Sequence, residues 1–377
     1  MAKKKKLQLT EADRIIAKNY REQLLAEKKA EKEEKLHPKH KYFLQILIPQ
    51  YKEGEDVIKP LLDTIATQKR FDMSKLGVII VNDGTDVILS DEFLAQYNFH
   101  IDYYKEEHRG IGGTRNRMLD LADADFVMFC DDDDYFLSNL AFFVLDECVY
   151  DNGKDKVSGV RTLYCAETHD ENKHLRLMPQ ANDTYHIHGT YFNLDALNKY
   201  NIRFDGDLKY NDDVYFTSLF NVMYWESTYN VNTPIYVWSY NENSATRIVN
   251  NGEIGGANGE YLCLVDYCKC ILSVLHWYEE HNIAEDEIVN HIINVLTFVY
   301  YLTSQKSFAE YDKDGSVMND VKAILGTIKV VFKEYYDLIF TEKYVRHINK
   351  HIGDMEQRYG ISHFIMSPTI FDFVKEL

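Results

Sequence analysis

The sequence predicts an α/β fold: a mostly parallel sheet with flanking helices, an α-helical region after it and a charged helix before it. Three observations carry this. Between residues 42 and 135, short β-rich apolar runs alternate with segments whose apolar residues recur at helical spacing. From about residue 258 onward the segments are long and helix-like. Residues 1–36 contain neither Gly nor Pro and carry only a sparse apolar stripe of Leu9, Ile15, Ile16, Leu24 and Leu25.

Taken in order, "HPKH" (37–40) ends the charged helix, and "YFLQILI" (42–48) is the first strand. "EDVIKPLLDTIATQ" (55–68) reads as a helix, "LGVIIV" (76–81) and "FHIDYY" (99–104) as strands, "GGTRNRMLDLADA" (112–124) as a helix and "DFVMFC" (125–130) as a strand. Residues 136–250 mix strands such as "VSGVRTLYC", "TYHIHGTYFN" and "PIYVWSY" with helical pieces. The expected division is 1–41 charged extension, 42–254 α/β domain and 255–377 helical domain, with "NNGEIGGANG" as the junction. The helical tail is expected to be a packed accessory domain or a homo-oligomer interface, with acceptor recognition as the alternative.

Charge narrows the function. Residues 1–41 hold 13 Lys+Arg against 7 Asp+Glu, a net of +6, and the remainder holds 29 against 53, a net of −24. So acidic a body is repelled by phosphates, which argues against general nucleic-acid binding and demands a cation wherever phosphate is handled. Six cysteines without paired metal spacing point to reduced thiols, and Cys268 and Cys270 to packing. No apolar run reaches the ~20 residues a bilayer span needs. No signal-peptide core opens the chain, so a cytoplasmic protein is expected.

In parallel sheets ligands bind at the carboxyl ends of the strands. Three polar stretches follow strands there: "PQYKEGE" (49–55), "NDGT" (82–85) and "DDDD" (131–134). Four adjacent carboxylates behind a buried-strand pattern fit a divalent-cation site better than a solvated loop or a glycosidase pair, whose acids must flank a sugar. Side chains alternate along an extended strand, so Asp131 and Asp133 point one way and Asp132 and Asp134 the other.

The ordered set "ILIPQYKEGED", "VIIVNDGT", "RGIGGTRNRMLD", "FVMFCDDDD" and "FDGDLKYNDDVYF" resembles the signatures of family-2 glycosyltransferases with the GT-A fold, over residues 43–250. The resemblance implies inverting transfer of a hexosyl or N-acetylhexosaminyl group from a nucleotide-sugar, with a UDP-sugar as the expected donor. The acceptor would be a hydroxyl, on a glycan or a cell-wall-type polymer for example. It places Pro49, Tyr51, Glu53, Asp83, Arg115, Asp131 and Asp132 around the donor, with Tyr51 flanking the base and Asp83 accepting from its imide N–H. Mn²⁺ or Mg²⁺ would be held by Asp131 and Asp133. Asp213 would be the general base, with Asp212 second; both also suit a helix N-terminus. Arg247, in "NENSATR", would reach the diphosphate. Asn82 replaces the family's first Asp and Lys52 its Asn. No His lies between His188 and His276 to serve as a downstream ligand; His186 and His188 are expected in the core or acceptor cleft.

Two other classes compete. A nucleotidyltransferase acting on sugar phosphates would need a Gly-rich basic loop after the first strand, which "PQYKEGED" is not. "RGIGGTRN" lacks the Lys-Ser/Thr ending of a P-loop and does not open the first βαβ turn. A non-catalytic nucleotide-sugar- or glycan-binding protein would have no need of intact Asp131, Asp133 and Asp213.

Overall fold

A computed structural model describes residues 39–170, 173–180, 184–241, 257–359 and 370–377. The expected charged helix and the junction at 254–255 lie outside the described residues.

β1 (Tyr42–Gln50) sits between β2 (Leu76–Asp83) and β4 (Ala124–Phe129), and β3 (His100–Glu106) lies beyond β2, all parallel. Near-continuous apolar runs are what a sheet covered on both faces requires. Leu44, Ile46, Ile48, Val78, Ile80, Phe126 and Met128 fill one core. The alternating Leu47, Ile79, Val81, Val127 and Phe129 fill the other. Between these strands run α1 (Glu55–Ala66), the short α2 (Asp91–Leu94) and α3 (Gly110–Leu121).

The second half adds antiparallel partners to the expected parallel set. After β5 (Tyr135–Phe136) and α4 (Ala141–Asn152) come β6 (Gly159–His169), β7 (Leu175–Pro179), β8 (Thr190–Asn193), α5 (Leu194–Lys199), α6 (Asp212–Tyr224) and β9 (Thr228–Trp238). The strand order is β3-β2-β1-β4-β8-β6-β9-β5, with β7 on β6. β8 joins β4 and β6 antiparallel, and β9 runs parallel to β6. The strand expected over 184–193 forms only over its last four residues.

The tail comprises α7 (Ala257–Glu280), α8 (Glu285–Thr303), α9 (Lys306–Tyr311), α10 (Ser316–Val331), α11 (Lys333–Leu338), α12 (Glu342–Tyr359) and α13 (Ile370–Glu376). One apolar cluster runs from the sheet face through Phe216, Leu219 and Phe220 of α6 into α7, α8 and on to Phe373 of α13. Cys268 and Cys270 are buried free thiols in that core. Among the described residues no helix is long and apolar enough to cross a membrane.

Candidate functional site

The carboxyl edges of β1, β2 and β4 are adjacent through the β1–β2 and β1–β4 ladders, so their polar tails converge as the sequence predicts. Pro49 is buried inside the first ladder, opposite Val81. Tyr51 is 43% exposed. Its ring lies 5.3 Å from that of His108, and the Lys52 ammonium sits 4.8 Å from its centre. The Glu53 carboxylate accepts from the Lys52 N–H at 2.8 Å.

Asp83 is almost fully buried. Its Oδ1 accepts from the Arg109 N–H at 2.6 Å, and its Oδ2 lies 2.9 Å from His108 Nδ1. That loop can pass so close because residue 84 is glycine. Gly84 has φ +78°, and a Cβ there would meet the His108 nitrogen at 2.5 Å.

Asn82, fully buried, explains its own departure from the family's acid. Its amide donates to the Val87 carbonyl at 2.7 Å and to Thr85 Oγ1 at 3.1 Å, while its Oδ1 accepts from the Thr85 N–H at 2.8 Å. A carboxylate there would face the Val87 carbonyl and have no proton to give. Asn82→Asp is therefore expected to lower stability by about 2–4 kcal/mol in urea unfolding at pH 7. The loss should shrink in acid, where the new carboxyl is protonated.

The four aspartates do not continue β4. The strand ends at Phe129, and the Asp134 N–H bonds back to the Asp131 carbonyl at 3.2 Å, closing a turn. Exposure still alternates: Asp131 and Asp133 are half-buried, Asp132 and Asp134 buried. Burial, then the neighbouring Glu53, Asp133 and Asp131, push the Asp132 carboxyl well above its ordinary range. Burial and adjacent carboxylates raise Asp133 and Asp134 too. Burial also works against the charged form of Asp131, but Arg115 and His188 outweigh it and hold its pKa low.

This crowd of acids fits a divalent cation. Asp132 Oδ2 is buried without a hydrogen-bond partner. One ligand atom each from Asp131, Asp134 and His188 falls within 4.8 Å of the others. Carboxylate oxygens with one imidazole suit Mn²⁺ well and Mg²⁺ through the oxygens. The Asp133 carboxylate accepts from Asn241 Nδ2 at 2.7 Å. The structure thus brings His188 to the carboxylates, where the sequence suggested core or acceptor cleft.

The two acids opening α6 divide their work. Asp212 is buried, and its Oδ2 accepts from Arg115 Nη1 at 2.7 Å; Arg115 Nη2 donates to Asp131 Oδ1 at 2.9 Å. The Arg115 fork, which the family resemblance places around the donor, thus bridges two carboxylates. Asp213 stays half-buried and accepts from the Val214 N–H at 2.8 Å. Burial pushes its carboxyl up to about 6, with Asp212 adding and His186 and Arg115 opposing.

The tail braces this loop. Asp266 of α7 accepts from the Tyr210 N–H at 2.7 Å, and Tyr278 donates to the Ser218 carbonyl at 3.3 Å. Asn116 makes a two-way bond with the Phe204 backbone, at 2.7 and 2.8 Å, tying α3 to the same segment. Asn116 follows Arg115 in the stretch "RGIGGTRNRMLD". His108, Asn241 and the bracing residues of α7 carry no signal in the sequence, because only the folded chain makes them neighbours. Arg247 lies outside the described residues.

The structure is similar to the crystal structure of S. aureus TarS 1-349, with a TM-score of 0.55 at 15% identity over 85% of this chain and 93% of that one. The complex of that protein with UDP gives 0.54 at 14% identity, over 86% and 94%. At such identity the likeness shows the fold. No curated protein matches the sequence. Residues 45–206 match the family model described as glycosyl transferase family 2. That stretch carries the acidic turn, Asp83 and Arg115, and it forms a family-2 glycosyltransferase domain with the GT-A fold.

Proposed function

We propose that this protein transfers a sugar, with inversion, from a nucleotide-sugar to a hydroxyl acceptor. The donor we assign is a UDP-sugar, the base Asp213 and the cation ligands Asp131 and Asp133, assisted by His188. The observation that carries the reading is the split at α6. One acid is tied to Arg115, while the other is left half-exposed with its carboxyl raised to about 6 beside the acidic turn.

In the proposed reaction the Asp213 carboxylate takes the proton of the acceptor hydroxyl. The freed oxygen bonds to the anomeric carbon as the bond from that carbon to the diphosphate breaks, and UDP leaves. A bound divalent cation would supply positive charge against the leaving diphosphate. Tyr51 would flank the base, Asp83 would accept from its imide N–H, and Glu53 would belong to the same donor site. Arg115 holds Asp131 and Asp212 in place. The TarS structure solved with UDP supports the choice of uridine. The transferase domain would span 42–254, followed by a helical domain (255–377) and preceded by a charged extension (1–41).

UDP with Mn²⁺ should raise the melting temperature, by the equivalent of about 2.7 kcal/mol at 100 times the Kd. Asp133→Ala should abolish the shift, and an unchanged shift in that variant removes Asp133 from the ligand set. Hydrolysis of a UDP-sugar panel, with and without Mn²⁺, separates an enzyme from a binding protein. Consumption of nucleoside triphosphates instead would reveal a nucleotidyltransferase.

A further inference from the structure

The acidic turn is fastened from behind by one buried phenol. Tyr236, in β9, is fully buried. Its hydroxyl accepts from the Asp131 N–H at 3.1 Å and donates to Asp134 Oδ2 in a short hydrogen bond. Asp134 Oδ1 accepts from the Ser239 N–H at 2.8 Å. Both oxygens of Asp134 therefore have donors inside the protein. Beyond the turn, β5 is tied to β6 and to the end of β9: the Tyr240 N–H donates to Glu167 at 2.8 Å, and the other Glu167 oxygen accepts from the Tyr135 hydroxyl at 2.5 Å. Asp132 Oδ2 is the contrast, 7% exposed as a residue and without any donor. Asp134 is satisfied from within; Asp132 is not.

We propose that Tyr236 is a positioning residue of the cation site. By joining the Asp131 amide to the Asp134 carboxylate, its hydroxyl sets the shape of the turn that presents Asp131 and Asp133, and Asp134 is an internal anchor, not a ligand. This rests on the cation reading above. It differs from what proximity alone suggests, since an Asp134 oxygen lies in the 4.8 Å group with Asp131 and His188. Groups that orient ligands in this way commonly change metal affinity 10- to 100-fold when removed.

The test is a double-mutant cycle read as Mn²⁺ affinity by calorimetry on the full chain without nucleotide. Tyr236→Phe keeps the ring and removes the hydroxyl. Asp134→Asn puts an amide N–H₂ where the hydroxyl needs an acceptor. Each is expected to weaken Mn²⁺ binding about 10- to 100-fold, and the double variant to lose no more than the weaker single, because both break one device. Tyr191→Phe is the control. It removes another buried hydroxyl, bonded to the Ala141 carbonyl at 3.0 Å, and should leave affinity within about twofold.

Affinity of Tyr236→Phe within about threefold of wild type, losses that multiply in the double variant, or an equal loss in Tyr191→Phe would each overturn the inference while the cation reading stands. Absence of Mn²⁺ binding by the wild type overturns both. Should Tyr236→Phe not fold, the double variant, which leaves no buried unpaired carboxylate, is compared with Asp134→Asn. Equal affinities support the clamp, and a further loss overturns it.

Discussion

Asp213→Asn is expected to lower kcat by about 10²–10⁴ while leaving the protein at least as stable as wild type. The amide cannot take the acceptor proton, yet its Oδ1 can still accept from the Val214 N–H. The stability effect follows from linkage. The Asp213 carboxyl rises from 3.8 to about 6 on folding, so the folded state holds its proton more tightly than the unfolded chain does. Its contribution to stability is then full below pH 4 and lost as pH rises through 6. At pH 7 the wild type bears the charged carboxylate, and the variant should gain up to about 2 kcal/mol over it. At pH 4 that gain should vanish. Wild-type kcat/KM should fall below about pH 6 as the base is protonated, a limb absent from the residual rate of the variant. Urea unfolding at the two pH values, with the pH profile of UDP-sugar turnover, checks both halves. Full activity in Asp213→Asn would transfer the role to another residue.

Arg115→Met should be the most damaging single change to the fold at the site, at about 3–5 kcal/mol. The side chain is 7% exposed and lies between Asp212 at 10% and Asp131 at 31%. Burial disfavours its charge, but Asp131 and Asp212 more than restore it and raise its pKa. Methionine fills much of the same volume and strands both carboxylates without a partner. Because Asp131 is held below its ordinary pKa, its share of the stability is present at neutral pH and lost as pH falls through the folded value. Without the guanidinium the two buried carboxylates should take up protons more readily than in the wild type, so the deficit of Arg115→Met should be largest near pH 7 and shrink in acid. Arg115→Lys should recover only part of it, since one ammonium cannot reproduce a fork that reaches two acids. Denaturant midpoints across pH measure this, and a flat deficit would mean the pairing with carboxylates is not what is lost.

Much of this architecture was legible in the residues. The runs at 42–48, 76–81 and 125–130 could only be strands covered on both faces. Glycines and acids after them marked the edge where a ligand binds. The motif order named the family, and "DDVYF" placed two acids at the start of a helix. Less was legible after residue 150. β7 and β8 are five and four residues long and take their places only by pairing, β7 with the long β6 and β8 between β4 and β6. His186 and His188 read as alternating strand residues, yet they lie before β8 and their rings stack 6.1 Å apart at 16°.

By itself the sequence determined which groups could do chemistry: a row of carboxylates, a pair of acids, one arginine in a helix. Those identities and their order along the chain are local facts. What it could not determine is which acid is neutralised and which is left free. That depends on a guanidinium from α3 arriving between Asp131 and Asp212, 16 and 97 residues away along the chain. It also depends on a phenol from β9, 102 residues beyond Asp134, arriving behind the turn. Burial and Coulomb energies act through distances in space, and only the folded chain sets them.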